Sequence, residues 1–313
     1  MYLVCGELLF DVFSPAEQPA QSNRIHFEAV AGGSPYNVAI GLARLGAKAS
    51  MLAGISSDFL GQRLRRILGE EGVGTEHLIE HNLHTTLAMV SLDAHGSPSY
   101  IFRGEGCADR QLLPADLPTL SDEVRGIHIG SYSLVVKPIG DTLLELVRRE
   151  SSKRLISLDP NIRLNVEPNV DVWRKRVEAL AEHAHLIKIS EEDLEALYPS
   201  TEPEVVIKNW LNNNRCSLVF LTLGGQGAKV FSREHGSWSV PAQAVDTKDT
   251  VGAGDTFQAA LLTWLAEQDL DTPTTLQQIT REQIEHLLKF AVTAAAITCG
   301  RVGPDLPYRN EVV

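Results

Sequence analysis

The run Ser34-Pro35-Tyr36-Asn37-Val38-Ala39-Ile40-Gly41-Leu42-Ala43-Arg44-Leu45-Gly46-Ala47-Lys48-Ala49-Ser50-Met51-Leu52-Ala53-Gly54-Ile55 changes its period halfway. Up to Leu45, the residues Val38, Leu42 and Leu45 recur at helical spacing. Ser34 and Pro35 supply an N-cap and a first-turn proline, and Gly46 supplies a stop. Ser50 to Ile55 is instead a short apolar run, the pattern of a strand covered on both faces. A helix leading directly into a buried strand is half of a β-α-β unit, and the alternation continues in both directions. Further strands are expected at Tyr2–Val4, Ile127–Ile129, Leu155–Leu158, Leu186–Ile189 and Leu218–Leu223. Helices are expected over Asp58–Glu71, Ile139–Glu150, Val172–Glu182, Ala253–Glu267 and Arg281–Thr298. The chain is therefore read as α/β, with a mostly parallel central sheet between helical layers.

Two regions break this rhythm with period-two alternation. Leu8–Phe13 with His26–Val30, and Leu87–Leu92 with Ser99–Phe102 across an Ala94-His95-Gly96 turn, are expected to be antiparallel strands with one wet face. They define a small β-sheet lid, residues 8–30 and 86–108, inserted into a single domain spanning 1–313.

Charge narrows the partners. The 313 residues carry 28 Lys+Arg against 40 Asp+Glu, a formal charge of −12, so no nucleic-acid or membrane-surface partner is expected and any anionic ligand must be met locally. Hydrophobic residues at 43% and charged residues at 22% fit a globular chain with a large core. Glu7 arrives too early for a secretory leader, no apolar stretch is long enough to span a bilayer, and a cytoplasmic location is expected. Cys5, Cys107, Cys216 and Cys299 are widely spaced and read as reduced thiols. His77, His81 and His84 read as a solvated segment, and the four tryptophans as packing.

The strongest chemical signal is Asp249-Thr250-Val251-Gly252-Ala253-Gly254-Asp255-Thr256-Phe257, which opens an apolar helix. Small residues before a helix leave backbone N–H groups bare and aligned with the helix dipole, an arrangement that suits phosphate. Asp255 falls in the first turn, where a carboxylate can take the proton of a hydroxyl attacking phosphorus. The same residues also suit a plain turn, with Asp255 complementing the dipole. Rival phosphate motifs are absent: there is no Gly-Lys dipeptide for a Walker A loop, and the first strand leads into Gly6-Glu7-Leu8-Leu9 rather than a GxGxxG turn. Gly32-Gly33-Ser34-Pro35-Tyr36-Asn37 also opens a helix and suits a polyol or a simple cap. Arg163, just after a strand ending in Asp159, is placed either to neutralise phosphate or to pair internally with Asp159.

Ala31-Gly32-Gly33-Ser34-Pro35-Tyr36-Asn37-Val38-Ala39 paired with Asp249 to Phe257 resembles the two signatures of the ribokinase-like (PfkB) sugar kinases, and the likeness spans the whole chain. Cys5 to Asp11, Ser157 to Arg163 and Gly303 to Pro307 make it most like the bacterial fructokinases. The resemblance implies a ribokinase-like three-layer α/β/α sandwich and an ATP- and Mg²⁺-dependent kinase, with fructose phosphorylated at the 6-hydroxyl as the leading substrate. It implies Asp255 as catalytic base, with Gly252, Ala253 and Gly254 as anion hole. Asp11, Gly32, Gly33 and Asn37 match the sugar-binding positions; Arg163 and the lid residue Arg103 join them. Thr222, Gly224 and Gly227 lie where relatives run along the nucleotide. The family's Asn-x-x-Glu element, which orders Mg²⁺ through water, stands here as Ser190-Glu191-Glu192-Asp193, placing Ser190 by the nucleotide and Asp193 by the metal. Asp249 and the Val251 carbonyl match where relatives often hold a monovalent cation such as K⁺. A homodimer through the lid is implied. The same scaffold also admits 2-keto-3-deoxygluconate, ribose or nucleoside kinases, or a sensor without turnover.

Overall fold

A computed structural model describes residues 1–14, 23–24, 26–92, 98–213 and 215–312. The strands are β1 (Tyr2–Cys5), β2 (Leu9–Phe13), β3 (Glu28–Gly32), β4 (Ala49–Ser56), β5 (Leu78–His81), β6 (Leu87–Leu92) and β7 (Pro98–Arg103). They continue as β8 (Gly126–Gly130), β9 (Leu155–Asp159), β10 (Leu186–Ser190), β11 (Leu218–Thr222), β12 (Ala228–Ser232) and β13 (Gly236–Val240). The helices are α1 (Ser34–Arg44), α2 (Phe59–Glu70), α3 (Ile139–Glu150), α4 (Val170–Ala181), α5 (Glu191–Leu197), α6 (Pro203–Asn213), α7 (Ala253–Glu267), α8 (Pro273–Leu276) and α9 (Arg281–Cys299).

Nine strands form the main sheet in the order β13-β12-β11-β10-β9-β8-β1-β4-β5, and every pairing from β11 to β5 is parallel. Period-two alternation in β1 shows how the layers are made. Tyr2 and Val4 face a core with residues of α1, α7 and α9, while Leu3 and Cys5 face one with residues of α3 and α4. The result is the expected α/β/α sandwich. Three main-sheet strands went unread in the sequence. β5, which includes His81, is a half-buried edge strand where a solvated segment was expected, and β12 and β13 add an antiparallel margin.

The smaller sheet has the order β3-β2-β6-β7, with both expected antiparallel pairs present. β2–β3 and β6–β7 are antiparallel, but β2 and β6 run parallel, so two hairpin-like pairs lie side by side in one mixed sheet. The anticipated Ala94-His95-Gly96 turn lies outside the described residues.

The start of α1 also differs. Gly33, with φ 109° and ψ 133°, is the N-cap, and Ser34 is the first helical residue. A non-glycine residue would be strained at this φ, and a Cβ would stand 2.9 Å from the Glu7 carbonyl oxygen. No side chain caps the helix, which frees the Ser34 hydroxyl for a more distant partner.

Candidate active site

In open α/β sheets, ligands bind beyond the carboxyl ends of the strands where the strand order reverses. Here that point is β1, flanked by β4 on one side and β8 on the other. A cavity of about 710 Å³ opens there, lined by Glu7 after β1, Ser131 and Tyr132 after β8, the loop 161–165 after β9, and Lys188 on β10. Asp11 and Phe13 of β2 and Phe102 of β7 bring the smaller sheet over it, and Thr250 to Gly252, Gly254 and Asp255 close the other wall.

Asp255 is at the centre of the arrangement. It is 7% exposed, and its two carboxylate oxygens accept hydrogen bonds from the Ser34 hydroxyl at 2.6 Å and the Asn37 side-chain amide at 2.8 Å. The two sequence elements, more than 200 residues apart, thus meet at one carboxylate. Burial raises the Asp255 pKa, against the pull of the two hydrogen bonds and of the Lys188 and Arg163 charges. A carboxylate held in place but with raised proton affinity is suited to accept a proton.

The bend before α7 meets its expected role only in part. Gly252 is the left-handed N-cap, with φ 79° and ψ −5°. Gly252 and Gly254 line the cavity, whereas the Ala253 amide turns back onto the Thr250 carbonyl at 3.2 Å. Ala253 was expected in the anion hole and shapes the bend instead.

Asp11, Gly33 and Asn37 all line the cavity. Burial pushes the Asp11 pKa up to about 6, with Arg163 opposing and Asp255 reinforcing the shift. Gly32 lies behind it: a Cβ there would stand 2.4 Å from an Asp11 carboxylate oxygen, so the glycine makes room for the acid. Arg163 faces the cavity, and Asp159 pairs with Lys188 rather than with it. Arg103 is exposed at the end of β7, outside this lining, and its neighbour Phe102 takes the place at the wall.

The nucleotide and metal positions are more dispersed. Ser190 caps α5 by accepting the Asp193 amide at 3.0 Å, and Asp193 in turn accepts the Ile162 amide at 2.9 Å. Asp193 and Glu192 line the cavity; Ser190, Thr222, Gly224 and Gly227 lie outside its lining, at the ends of β10 and β11. Gly224 is exposed with φ 53°. Gly227 is buried with φ 103° and close against the Val240 carbonyl, so it serves the β11–β12 turn. Asp249 ties two loops together by accepting the Val251 and Gly303 amides at 3.0 and 2.9 Å.

Two residues escaped the sequence reading of the site, and a third, Ser34, was read as a cap or a ligand-facing hydroxyl rather than as a partner of Asp255. Lys188 sat unnoticed within an apolar strand, where a charge is itself the signal. Glu7 is 1% exposed beside Ser131 and Ser133, and burial pushes its pKa up to about 7, against hydrogen bonds from those two serines. The folded state therefore favours protonated Glu7, and this stabilisation, present below the unfolded value of 4.5, is lost as pH rises through about 7. Glu7→Gln does not titrate, so it should gain stability relative to wild type between pH 5 and 8, by roughly 2–3 kcal/mol at about 1.4 kcal/mol per pH unit. Urea unfolding at several pH values measures it; a pH-independent difference would contradict the assignment.

A buried carboxylate beside a glycine bend at a helix N-terminus, under a small second sheet, suits phosphoryl transfer to a hydroxyl. The chain belongs to the pfkB family of carbohydrate kinases, whose family model matches residues 1–310. It is 33% identical to a fructokinase of Rhizobium leguminosarum bv. trifolii over 99% of this chain and 88% of that protein. The ATP-bound fructokinase of Xylella fastidiosa superposes with a TM-score of 0.90 at 28% identity, covering 99% and 96% of the two chains. A Vibrio cholerae O395 fructokinase with bound fructose, ADP and calcium superposes with a TM-score of 0.79 at 25% identity, covering 97% and 94%. The protein is an ATP-dependent carbohydrate kinase.

Proposed function

We propose that this kinase phosphorylates D-fructose at its 6-hydroxyl, with Asp255 as the base. The observation that carries the reading is Asp255 itself, buried, held by Ser34 and Asn37, and sharing one cavity with Asp11 and Gly252. Similarity to fructokinases over nearly the full chain supports fructose as the acceptor.

Asp11, Gly33 and Asn37 bind the sugar hydroxyls and aim one of them at Asp255. That oxygen bonds to the γ-phosphorus, the bond from phosphorus to the β,γ-bridging oxygen breaks, and its electron pair leaves with ADP. The hydroxyl proton passes to Asp255 late in the transfer. The Gly252 and Gly254 amides and Arg163 stabilise the charge on the phosphoryl oxygens. The smaller sheet closes as a lid and excludes water.

The donors fit a hydrated divalent ion. Glu192 and Asp193 line the cavity, and among the described residues no cluster of three or more His, Cys, Asp or Glu forms a closed cage. Mg²⁺ typically keeps several waters and one or two carboxylates, and when bound it neutralises the β- and γ-phosphates. Asp193 would hold it through water. Asp249 and the Val251 carbonyl offer oxygen donors for a monovalent cation such as K⁺. Thr222, Gly224 and Ser190 would border the nucleotide. The exposed Phe27, just before β3, and Ile101 of β7 support a homodimer through the lid. Among the described residues no helix is long and apolar enough to cross a membrane.

ADP release measured over a panel of fructose, ribose, 2-keto-3-deoxygluconate and nucleosides, with and without potassium, tests the assignment. Fructose should give a kcat/KM at least about tenfold above every other acceptor. A higher value for another acceptor would move the specificity there.

A further inference from the structure

Lys188 is a lysine in the middle of a buried strand. It is 4% exposed and lies on the sheet face that packs against α7, the opposite face from Ile187 and Ile189. Its ammonium donates to Asp159 Oδ2 at 2.8 Å, and Asp159 is wholly buried, with Oδ1 unpartnered among the described residues. Stability alone does not require such a pair, because apolar residues of similar volume often serve as well.

The position of the ammonium suggests another use. Lys188 lines the cavity, and a Cβ on Gly254 would stand 3.0 Å from its Nζ. Gly254 is an ordinary helical residue of α7, so a glycine there answers a need for space rather than for backbone freedom. The space it leaves is filled by the Lys188 head group. One of the three ammonium N–H groups is given to Asp159, and no other protein partner is found among the described residues.

We propose that Lys188 takes part in phosphoryl transfer: anchored by Asp159, its ammonium lends fixed positive charge to the phosphoryl oxygens and to ionised Asp255. Lys188 keeps its protons throughout, so bonds and proton move as described above. The inference rests on the kinase reading with Asp255 as base. The charged groups facing Asp255 are Lys188 from β10, Arg163 from the loop after β9, Asp159 at the end of β9 and Asp11 from β2, with Ser34 and Asn37 of α1 as its hydrogen-bond donors. Burial raises the Asp255 pKa and the Lys188 charge opposes that rise, so loss of the charge must move Asp255 to higher pH.

The test compares wild type, Lys188→Met and the double variant Asp159→Asn/Lys188→Met, which leaves no unpaired buried charge. In both variants kcat should fall by about 10²–10³. In Lys188→Met the acid limb of kcat/KM should rise by about one pH unit, and in the double variant by less, because the Asp159 charge that faces Asp255 is lost as well. In ligand-free Lys188→Met carrying ¹³C in the aspartate carboxyl groups, the Asp255 resonance, assigned by its loss in Asp255→Asn, should titrate at correspondingly higher pH than in the parent protein. A purely structural ion pair predicts that the neutral double variant recovers kcat to within about threefold, and that result would overturn the proposal. An unmoved Asp255 resonance would overturn it too. Failure of the wild type to phosphorylate any sugar would instead sink the kinase reading, which the carboxyl titration does not depend on.

Discussion

Asp255→Asn should lower kcat by about 10²–10⁴ while the fold and nucleotide affinity persist. The amide matches the carboxylate in shape, and its oxygen can still accept the hydrogen bond that Ser34 gives at 2.6 Å. What disappears is the ability to take a proton, and with it the route by which the sugar hydroxyl sheds its proton as the phosphoryl group arrives. The fold should tolerate the change, because burial already disfavours the charged form of Asp255. Steady-state kinetics with calorimetric ADP binding and thermal melting separate these effects. Wild-type turnover would remove Asp255 from the mechanism.

Gly252→Ala should also be strongly damaging. Gly252 holds φ at 79°, where an L-residue costs about 1–2 kcal/mol. The added methyl carbon would also stand 2.9 Å from Pro304 Cα, a backbone atom that cannot swing aside. The bend must then shift, and the amides proposed to meet the phosphoryl group shift with it. A loss of about 10² or more in kcat follows, the size seen when one oxyanion donor is removed. Sugar affinity should stay near wild type, because Asp11 and Gly33 belong to other elements. Gly69→Ala is the control: it lies in a helix with nothing within 4 Å of the new carbon, and should leave activity within about twofold of wild type. Equal losses in both variants would contradict the argument.

Much of this architecture could be read in the chain. Short Val-, Ile- and Leu-rich runs are legible as doubly covered strands because both faces demand apolar side chains, and six of the nine main-sheet strands announced themselves this way. β5, β12 and β13 lie at or near the sheet margins, where wet positions such as Glu80, Ser237 and Ser239 break the pattern. The mixed pairing of the smaller sheet was hidden for a different reason: period-two alternation fixes which face is buried but not which strand lies alongside.

The site was legible where local motifs determine it and obscure where the sheet brings distant residues together. Gly252 and Asp255 declare themselves within one nonapeptide, and Gly33 within another. Ser34 and Lys188 do not. A serine before Pro35 reads locally as a cap, and only the closure of α1 against α7 reveals that its hydroxyl serves Asp255. Lys188 and Asp159, 29 residues apart, become a pair only once β9 and β10 lie side by side. The Ala253 amide and the Arg103 side chain erred in the other direction. Motif position suggested contact with ligand, but the turn at Thr250 and the outward end of β7 direct them elsewhere.

The most direct measurement is a ³¹P spectrum of the purified protein incubated with ATP, Mg²⁺ and fructose, recorded in parallel for wild type and Asp255→Asn. Wild type should convert ATP into equal amounts of ADP and a fructose phosphate ester, and Asp255→Asn should leave ATP largely intact over the same interval. Release of inorganic phosphate without an ester, or equal ester formation by the two proteins, would contradict a transfer in which Asp255 receives the proton of the sugar.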